Sequence, residues 1–304
     1  MSSSTGALTE TKWNDLLNLI KNQKCTPFIG AGASGSLLPI GSKLARQWAK
    51  ENAYPLKDMS NLTRVAQFLS IHRFDMFPKE RVSELFEKVA PPNFSKPNEP
   101  HAVLADLNLP IYIITNYDKF MFLALKNRAR DARREFCRWN GYAAVVKKES
   151  VFKGGYTPSA AQPLVFHLHG YHEVPQSMVL TEDDYLDYLI GLSERQGKQA
   201  LIPPAVRTAL AGTALLFVGY SLSDWTFRVL FRGLRSSLKA SLGYPSIAIQ
   251  LPPNDVQPGK RQEAQDYLQK YFGKLQGLML TVYWGDVGDF AEELRQRWEA
   301  AGGA

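Results

Sequence analysis

A chain of 304 residues, 45% hydrophobic and 21% charged, has the make-up of a globular protein and is long enough to close a core without staples. Its two cysteines, Cys25 and Cys137, exclude a disulfide scaffold and any four-cysteine zinc site, and no apolar run approaches the length of a membrane span. A net charge of +7 permits nucleic-acid contact without demanding it, and the polar start MSSSTGALTETKWND has no apolar signal core, so the expected location is cytoplasmic.

Residues 1–10 read as disordered. From Thr11 a helix is predicted, with Trp13, Leu16, Leu17 and Ile20 on one face. Phe28 and Ile29 end a short strand that runs into Gly30, Gly32 and Gly35, a G-x-G-x-x-G loop, and Leu44, Ala45 and Trp48 predict a helix beyond it. Glycines let backbone N–H groups approach a pyrophosphate, and a helix N-terminus adds a favourable dipole. By itself the motif reads equally well as a tight turn without a ligand. A dinucleotide fold wants an acidic residue about 20 positions on, and Glu51 follows a helix rather than a strand, so it does not count. Residues 60–90 read as helices through Val65, Phe68 and Leu69, then Val82, Leu85 and Phe86. The four prolines of APPNFSKPNEP mark a loop, and a short helix near 101–107 leads into a strand, Ile111–Thr115, that ends in Asn116, Tyr117 and Asp118.

Lys126, Arg128, Arg130, Arg133, Arg134 and Arg138 then read as a basic helix, either a solvated face or a docking patch for nucleic acid or an acidic partner. Aromatic residues that would stack bases are not interleaved with them. Residues 140–160 read as irregular, with a short hairpin around Gly154 and Gly155. In VFHLHGYHE, Val165, Phe166 and Leu168 form a buried strand whose carboxyl end delivers His169 and then Gly170. His167 points to the other side of the strand and reads as structural, and His172 reads as solvent-facing. Thr181 is a helix N-cap with Asp184 three residues on, and the cluster Glu182, Asp183, Asp184 and Asp187 suits the helix dipole better than a metal. Next come a strand at Ala214–Val218, the turn Gly219-Tyr220-Ser221, and Asp224. A helix follows, with Phe227, Leu230, Phe231 and Leu234 on one face and Arg228, Arg232, Arg235 and Lys239 on the other. Strands at Ser246–Leu251 and Met279–Trp284 and a helix carrying Phe290, Leu294 and Trp298 complete the chain.

Short apolar strands alternating with helices predict a doubly wound, mostly parallel, Rossmann-like α/β sheet. The expected organisation is one domain over 1–304. Its core takes approximately 11–50, 101–118, 160–172 and 205–300, with a helical module at approximately 51–100 and 119–160. In such sheets ligands bind outside the carboxyl ends of the strands. A glycine loop, an Asn-x-Asp and a His-Gly, each at a strand end, therefore read as one site.

These motifs, in this order, resemble the sirtuin superfamily. Gly30–Ser34 is similar to the family's nucleotide loop, Thr115–Asp118 to its T-x-N-x-D segment, Leu168–Gly170 to the motif of its catalytic histidine, and Val218–Ser221 to the late turn that meets the adenosine half of NAD. The four-cysteine zinc module of the protein-deacylase sirtuins is absent, since no cysteine follows Cys137. The arginine-bearing loop after the glycine motif is replaced by SGSLLPIG, and Thr115 stands where deacylases have a ribose-contacting glutamine. The chain more closely resembles the bacterial sirtuin-like NADase domains of anti-phage defence systems, through T-N-Y-D, H-G-Y and the segment from Gly219 to Asp224.

The resemblance implies a helical module in place of the zinc ribbon and an NAD⁺ glycohydrolase releasing nicotinamide and ADP-ribose, as the toxic effector of an abortive-infection defence. Asn116, His169 and Asp118 are its expected catalytic residues. Gly30, Ala31, Gly32, Ala33, Ser34, Thr115, Gly219, Tyr220, Ser221 and Asp286 are its expected NAD-binding residues, with no metal. Asn116 suits placing a water or gripping the ribose, because its amide donates and accepts. His169 suits a general base, because an unperturbed imidazole titrates near neutrality, and Asp118 would orient the carboxamide or His169. The implied partners are a second copy of the chain, in a homo-oligomer, and a separate sensor such as an ATPase or a short Argonaute. Direct nucleic-acid binding and membrane association are not expected. Two other readings stand beside this one, an NAD-dependent protein deacylase and a module that senses NAD or ADP-ribose without cleaving it.

Overall fold

The computed structural model describes residues 8–35, 37–38, 41–141, 149–194, 201–222, 228–229, 231–233, 243–253, 256–273 and 279–303. Seven strands form one sheet: β1 (Cys25–Ile29), β2 (Ile111–Ile114), β3 (Arg133–Phe136), β4 (Leu164–His167), β5 (Ala214–Val218), β6 (Pro245–Gln250) and β7 (Met279–Trp284). Their order is β3-β4-β2-β1-β5-β6-β7, and every pairing is parallel. From β1 the chain lays down β2, then the edge strand β3, and then β4 between those two on one side, before it crosses to the other side at β5. That reversal is the topological switch at which open α/β sheets bind ligands.

Strand side chains alternate between two apolar layers, as a sheet covered on both faces requires. Ile29, Tyr112, Ile114, Val165 and Leu216 face α1 (Glu10–Lys21), α5 (Pro100–Asp106), α6 (Phe120–Asn127) and α10 (Val287–Ala300). Phe28, Ile113, Phe166, Leu215 and Phe217 face α7 (Glu182–Glu194), α8 (Pro204–Gly212) and α9 (Arg261–Gly273). A third cluster joins α2 (Gly41–Glu51), α3 (Leu62–His72) and α4 (Phe77–Glu87) to Met178 and Leu180.

Local chemistry sets the helix ends. Thr9 caps α1. At α7 the expected cap closes in both directions. The Thr181 hydroxyl accepts the Asp184 N–H at 3.1 Å, and the Asp184 carboxylate accepts the Thr181 and Leu180 N–H groups at 2.9 Å. The acidic first turn of α7 is spent on caps and ion pairs: Glu182 pairs with Arg64 and Asp184 with the buried Lys79.

The basic stretch is not one helix. α6 stops at Asn127, and Arg133–Phe136 is the edge strand β3, parallel to β4, so this part of the helical module expected over 119–160 belongs to the sheet. Its cations are largely matched within the chain. Arg128 pairs with Asp106, Arg133 with Asp131 and Arg138 with Glu135, while Arg134 pairs with Glu173 and lies over the rings of Phe122 and Tyr171. Val151–Gly154 is a 3₁₀ turn rather than a hairpin. α8 and α9 were not expected. Residues 1–7 lie outside the described residues, as do Asp224, Phe227, Leu230, Leu234, Arg235 and Lys239 of the helix expected after β5.

Candidate functional site

The glycine loop and the turn after β5 lock together through backbone. Gly30 N–H donates to the Val218 carbonyl and Gly32 N–H to the Gly219 carbonyl, both at 2.9 Å. Ala31–Ser34 then forms one 3₁₀ turn. The two segments touch so closely that a Cβ on Gly30 would lie 2.8 Å from the Gly219 oxygen and 2.9 Å from the Tyr220 ring. Gly219 has φ +75°, and a Cβ there would overlap the Ala33 nitrogen. Both the turn and the contact need glycine. Ala33 is buried in the core, whereas Ala31 and Ser221 are exposed at the mouth of the loop.

Tyr220 packs its ring on Phe28 and shares a hydrogen bond with the Thr115 hydroxyl, so it bridges over β1 from the end of β5 to the end of β2. Gln250, at the end of β6, fixes this turn. Its amide donates to the Tyr220 carbonyl at 2.7 Å and accepts the Leu222 N–H at 3.1 Å. Sequence reasoning missed Gln250. Its one signal is a polar residue closing the buried run Ser246–Ile249.

At the end of β2, Asn116 donates its side-chain amide to the Gly30 carbonyl at 3.1 Å and to the Ser34 hydroxyl at 3.3 Å. A carbonyl can only accept, so the amide orientation is fixed and both its hydrogens are committed to the glycine loop. Asp118 is buried. One of its oxygens accepts the Ser34 hydroxyl at 3.1 Å and the other accepts the Phe120 N–H at the start of α6. Asn116, Asp118 and Ser34 therefore form one cluster tied to the loop. The partners of Asp118 are Ser34 and Phe120, not His169.

His169 stands just past the end of β4, the strand beside β2. Its carbonyl accepts the Val179 N–H, and its ring meets Tyr185 and Tyr188 of α7 edge-on at 5.5 and 5.6 Å. Nε2 is buried with no protein partner. Burial holds the imidazole down to about 3, not near neutrality as its residue type suggests, so the ring is neutral across the physiological range. Gly170, at φ +79°, lets the chain turn under Ser177, whose carbonyl a Cβ would overlap. The tyrosines that flank His169 carried no sequence motif.

His167 lies on the opposite face of β4 from Phe166, is fully buried, and is likewise held down to about 3 by burial. His172 departs from expectation: it is 1% exposed, not solvent-facing. Asp286 also stands apart. It follows β7 at the far edge of the sheet, and its carboxylate caps α10 by accepting the Gly288 N–H at 2.7 Å. The fold thus gathers Gly30, Gly32, Ser34, Thr115, Asn116, Asp118, Gly219 and Tyr220 by direct contact and sets His169 at the neighbouring strand end.

The sequence profile of a family described as SIR2-like domain matches residues 110–274, more than half of the chain. The chain belongs to the SIR2-like domain family. This SIR2-like chain is 25% identical over 227 residues to a protein named NAD(+) hydrolase ThsA from Bacillus cereus (strain MSX-D12), covering 73% of this chain and 42% of that protein. It is 26% identical over 199 residues to a protein of the same name from Acinetobacter baumannii (strain 532279), covering 65% of this chain and 36% of that one. The chain therefore spans about two fifths of the length of these relatives. A structure solved in work on the mechanism and regulation of Sir2 enzymes aligns with 97% of this chain and all of its own, at 14% identity and a TM-score of 0.40.

Proposed function

We propose that this SIR2-like domain hydrolyses NAD⁺ to nicotinamide and ADP-ribose. One observation carries the reading. Asn116, Ser34 and Asp118 converge on the glycine loop at the switch point of the sheet, one strand from His169. The names of the relatives support the substrate.

Nicotinamide is a cationic leaving group. The bond from ribose to nicotinamide breaks, its electron pair stays with nicotinamide, and an oxocarbenium-like sugar remains for water to attack. The protein must hold the sugar, place the water and stabilise positive charge. With both amide hydrogens of Asn116 donated to the loop, its carbonyl oxygen is the atom left to accept a hydrogen bond from water or a ribose hydroxyl. That narrows the role from donor-and-acceptor to acceptor. Neutral His169 serves as a hydrogen-bond acceptor for a ribose hydroxyl or the attacking water. Asp118 acts one step back, by orienting Ser34. The exposed mouth of the loop, at Ala31 and Ser221, receives the pyrophosphate and adenosine side.

In the cell the domain acts as the NAD⁺-depleting effector of a cytoplasmic antiviral defence. It works as a homo-oligomer and under a separate sensor, because an unrestrained enzyme would empty the NAD pool of its own host. Incubation with NAD⁺ and chromatographic separation of products tests the activity. Nicotinamide and ADP-ribose in equal amounts, without any acyl peptide, are expected. Nicotinamide released only with an acylated peptide would make the domain a deacylase, and intact NAD⁺ with measurable binding would make it a sensor. Sizing chromatography read beside turnover tests the assembly, and a fully active monomer would contradict it.

A further inference from the structure

The turn from Asn116 to Lys119 joins β2 to α6 and carries the cluster just described, yet it belongs to neither element. Its backbone is held from the side away from the glycine loop. The Tyr117 carbonyl accepts two hydrogen bonds from one residue, His172: the backbone N–H at 3.0 Å and ring Nδ1 at 2.7 Å. The preceding carbonyl, Asn116, accepts Nδ1 of His167 at 3.4 Å. Because a carbonyl only accepts, both rings must carry their proton on Nδ1.

His172 is in turn gripped by the helical cluster. The Ser83 hydroxyl of α4 donates to the His172 carbonyl at 2.7 Å, and the Phe86 ring lies 6.0 Å from the imidazole and 6.0 Å from the Tyr117 ring. Its Nε2 is buried with no protein partner. An apolar side chain would fill this space against Phe86 without leaving a polar atom unsatisfied. What the imidazole adds is the Nδ1–H on the Tyr117 carbonyl, which occupies the second lone pair of that oxygen and fixes the peptide plane between Tyr117 and Asp118.

We infer that His172, backed by His167, is a positioning residue that sets the Asn116-Tyr117-Asp118 turn, and through it the Asn116 carboxamide and the Asp118 carboxylate, by donating Nδ1–H to the Tyr117 carbonyl. The run His167, His169, His172 thus divides its labour: one imidazole faces the substrate side and two hold the facing turn. The inference rests on the NAD⁺-hydrolase reading for its catalytic consequence and on the hydrogen bonds alone for its structural one.

The test compares His172→Leu, which fills the space without a donor, with His172→Asn, whose amide nitrogen reaches the Nδ1 position. His172→Leu lowers kcat for nicotinamide release about tenfold with KM changed less than about threefold, since misplacing a reacting group costs turnover more than binding. His172→Asn restores most of that loss. Independently of activity, nitrogen-15 spectra of the wild type show His172 as the Nδ1–H tautomer. The amide signals of Asn116, Tyr117 and Asp118 move in His172→Leu and return in His172→Asn. If the wild type proves inactive on NAD⁺, the spectra still decide the structural claim, so the two readings fail separately. The inference is overturned by an Nε2–H tautomer in the wild type. It is equally overturned if His172→Asn is as impaired as His172→Leu, or if His172→Leu only lowers the melting temperature and leaves kcat and the turn's signals in place.

Discussion

The carboxyl ends of β1 and β5 and those of β2 and β4 lie side by side and are built differently. At β1 and β5 the contact is backbone on backbone: Gly30 and Gly32 against Gly219, with no room for a Cβ on either side. At β2 and β4 side chains make the contacts: Asn116 and Asp118 reach toward the loop, while His167 and His172 reach back to the turn. The first pair makes a rigid cradle that fails abruptly when altered. On the proposed function, the second makes a set of aimed groups whose loss should cost chemistry before it costs the fold.

Gly219→Ala should have the largest effect. It forces a left-handed backbone on alanine and drives a methyl into Ala33. We expect a loss of ~2–4 kcal/mol in chemical denaturation. A near-wild-type midpoint would show that the two loops part easily. Asn116→Ala and His169→Ala should each lower NAD⁺ cleavage by about 100-fold or more, with circular dichroism unchanged and a stability loss of no more than about 2 kcal/mol. Retention of most activity in either variant would break the contrast between cradle and aimed groups.

A smaller effect follows from acid. His167 and His169 titrate near pH 3 in the folded protein because burial disfavours their charge, and near 6.5 once unfolded. The unfolded chain therefore binds protons first as pH falls. The stability these neutral rings contribute is complete above about pH 6.5 and is lost below it, by up to about 1.4 kcal/mol per pH unit for each ring, until pH nears 3. Denaturation midpoints at pH 7 and pH 5 should differ accordingly, and His167→Phe should flatten the slope. The same shift predicts no loss of kcat/KM as pH falls from 8 to 6. A limb near 6.5 that vanishes in His169→Ala would show that His169 titrates as an exposed histidine. Smallest of all, Arg133→Glu should change stability by less than about 0.5 kcal/mol, since its pair with Asp131 is half exposed on the edge strand. A large loss there would mean that β3 depends on that charge.

Much of this was legible in the chain. Alternation of apolar runs marked β1, β2, β4, β5, β6 and β7, and Thr181 with Asp184 marked the start of α7, because burial and capping leave local signatures. β3 was not legible. Two of its four residues are arginine, it follows a true helix, and only its pairing with β4 makes it a strand. α9 hid because its buried face is thin, with Gln265 and Phe272 its buried residues. At the site, the motifs placed Gly30, Asn116 and His169 at strand ends, since the topology of a parallel sheet does so. The partners of Asp118, the burial of His172, and the roles of Gln250, Tyr185 and Tyr188 depend on contacts between segments far apart in sequence, which no local pattern carries.

The most direct measurement of the central claim is nicotinamide release from NAD⁺ by the wild-type chain and by His169→Ala, over a rising series of protein concentrations. The strand-end cluster as the site of cleavage predicts nicotinamide from the wild type, with turnover per chain rising as the protein assembles, and essentially none from the variant. No release from the wild type at any concentration, or equal release from both, would contradict it.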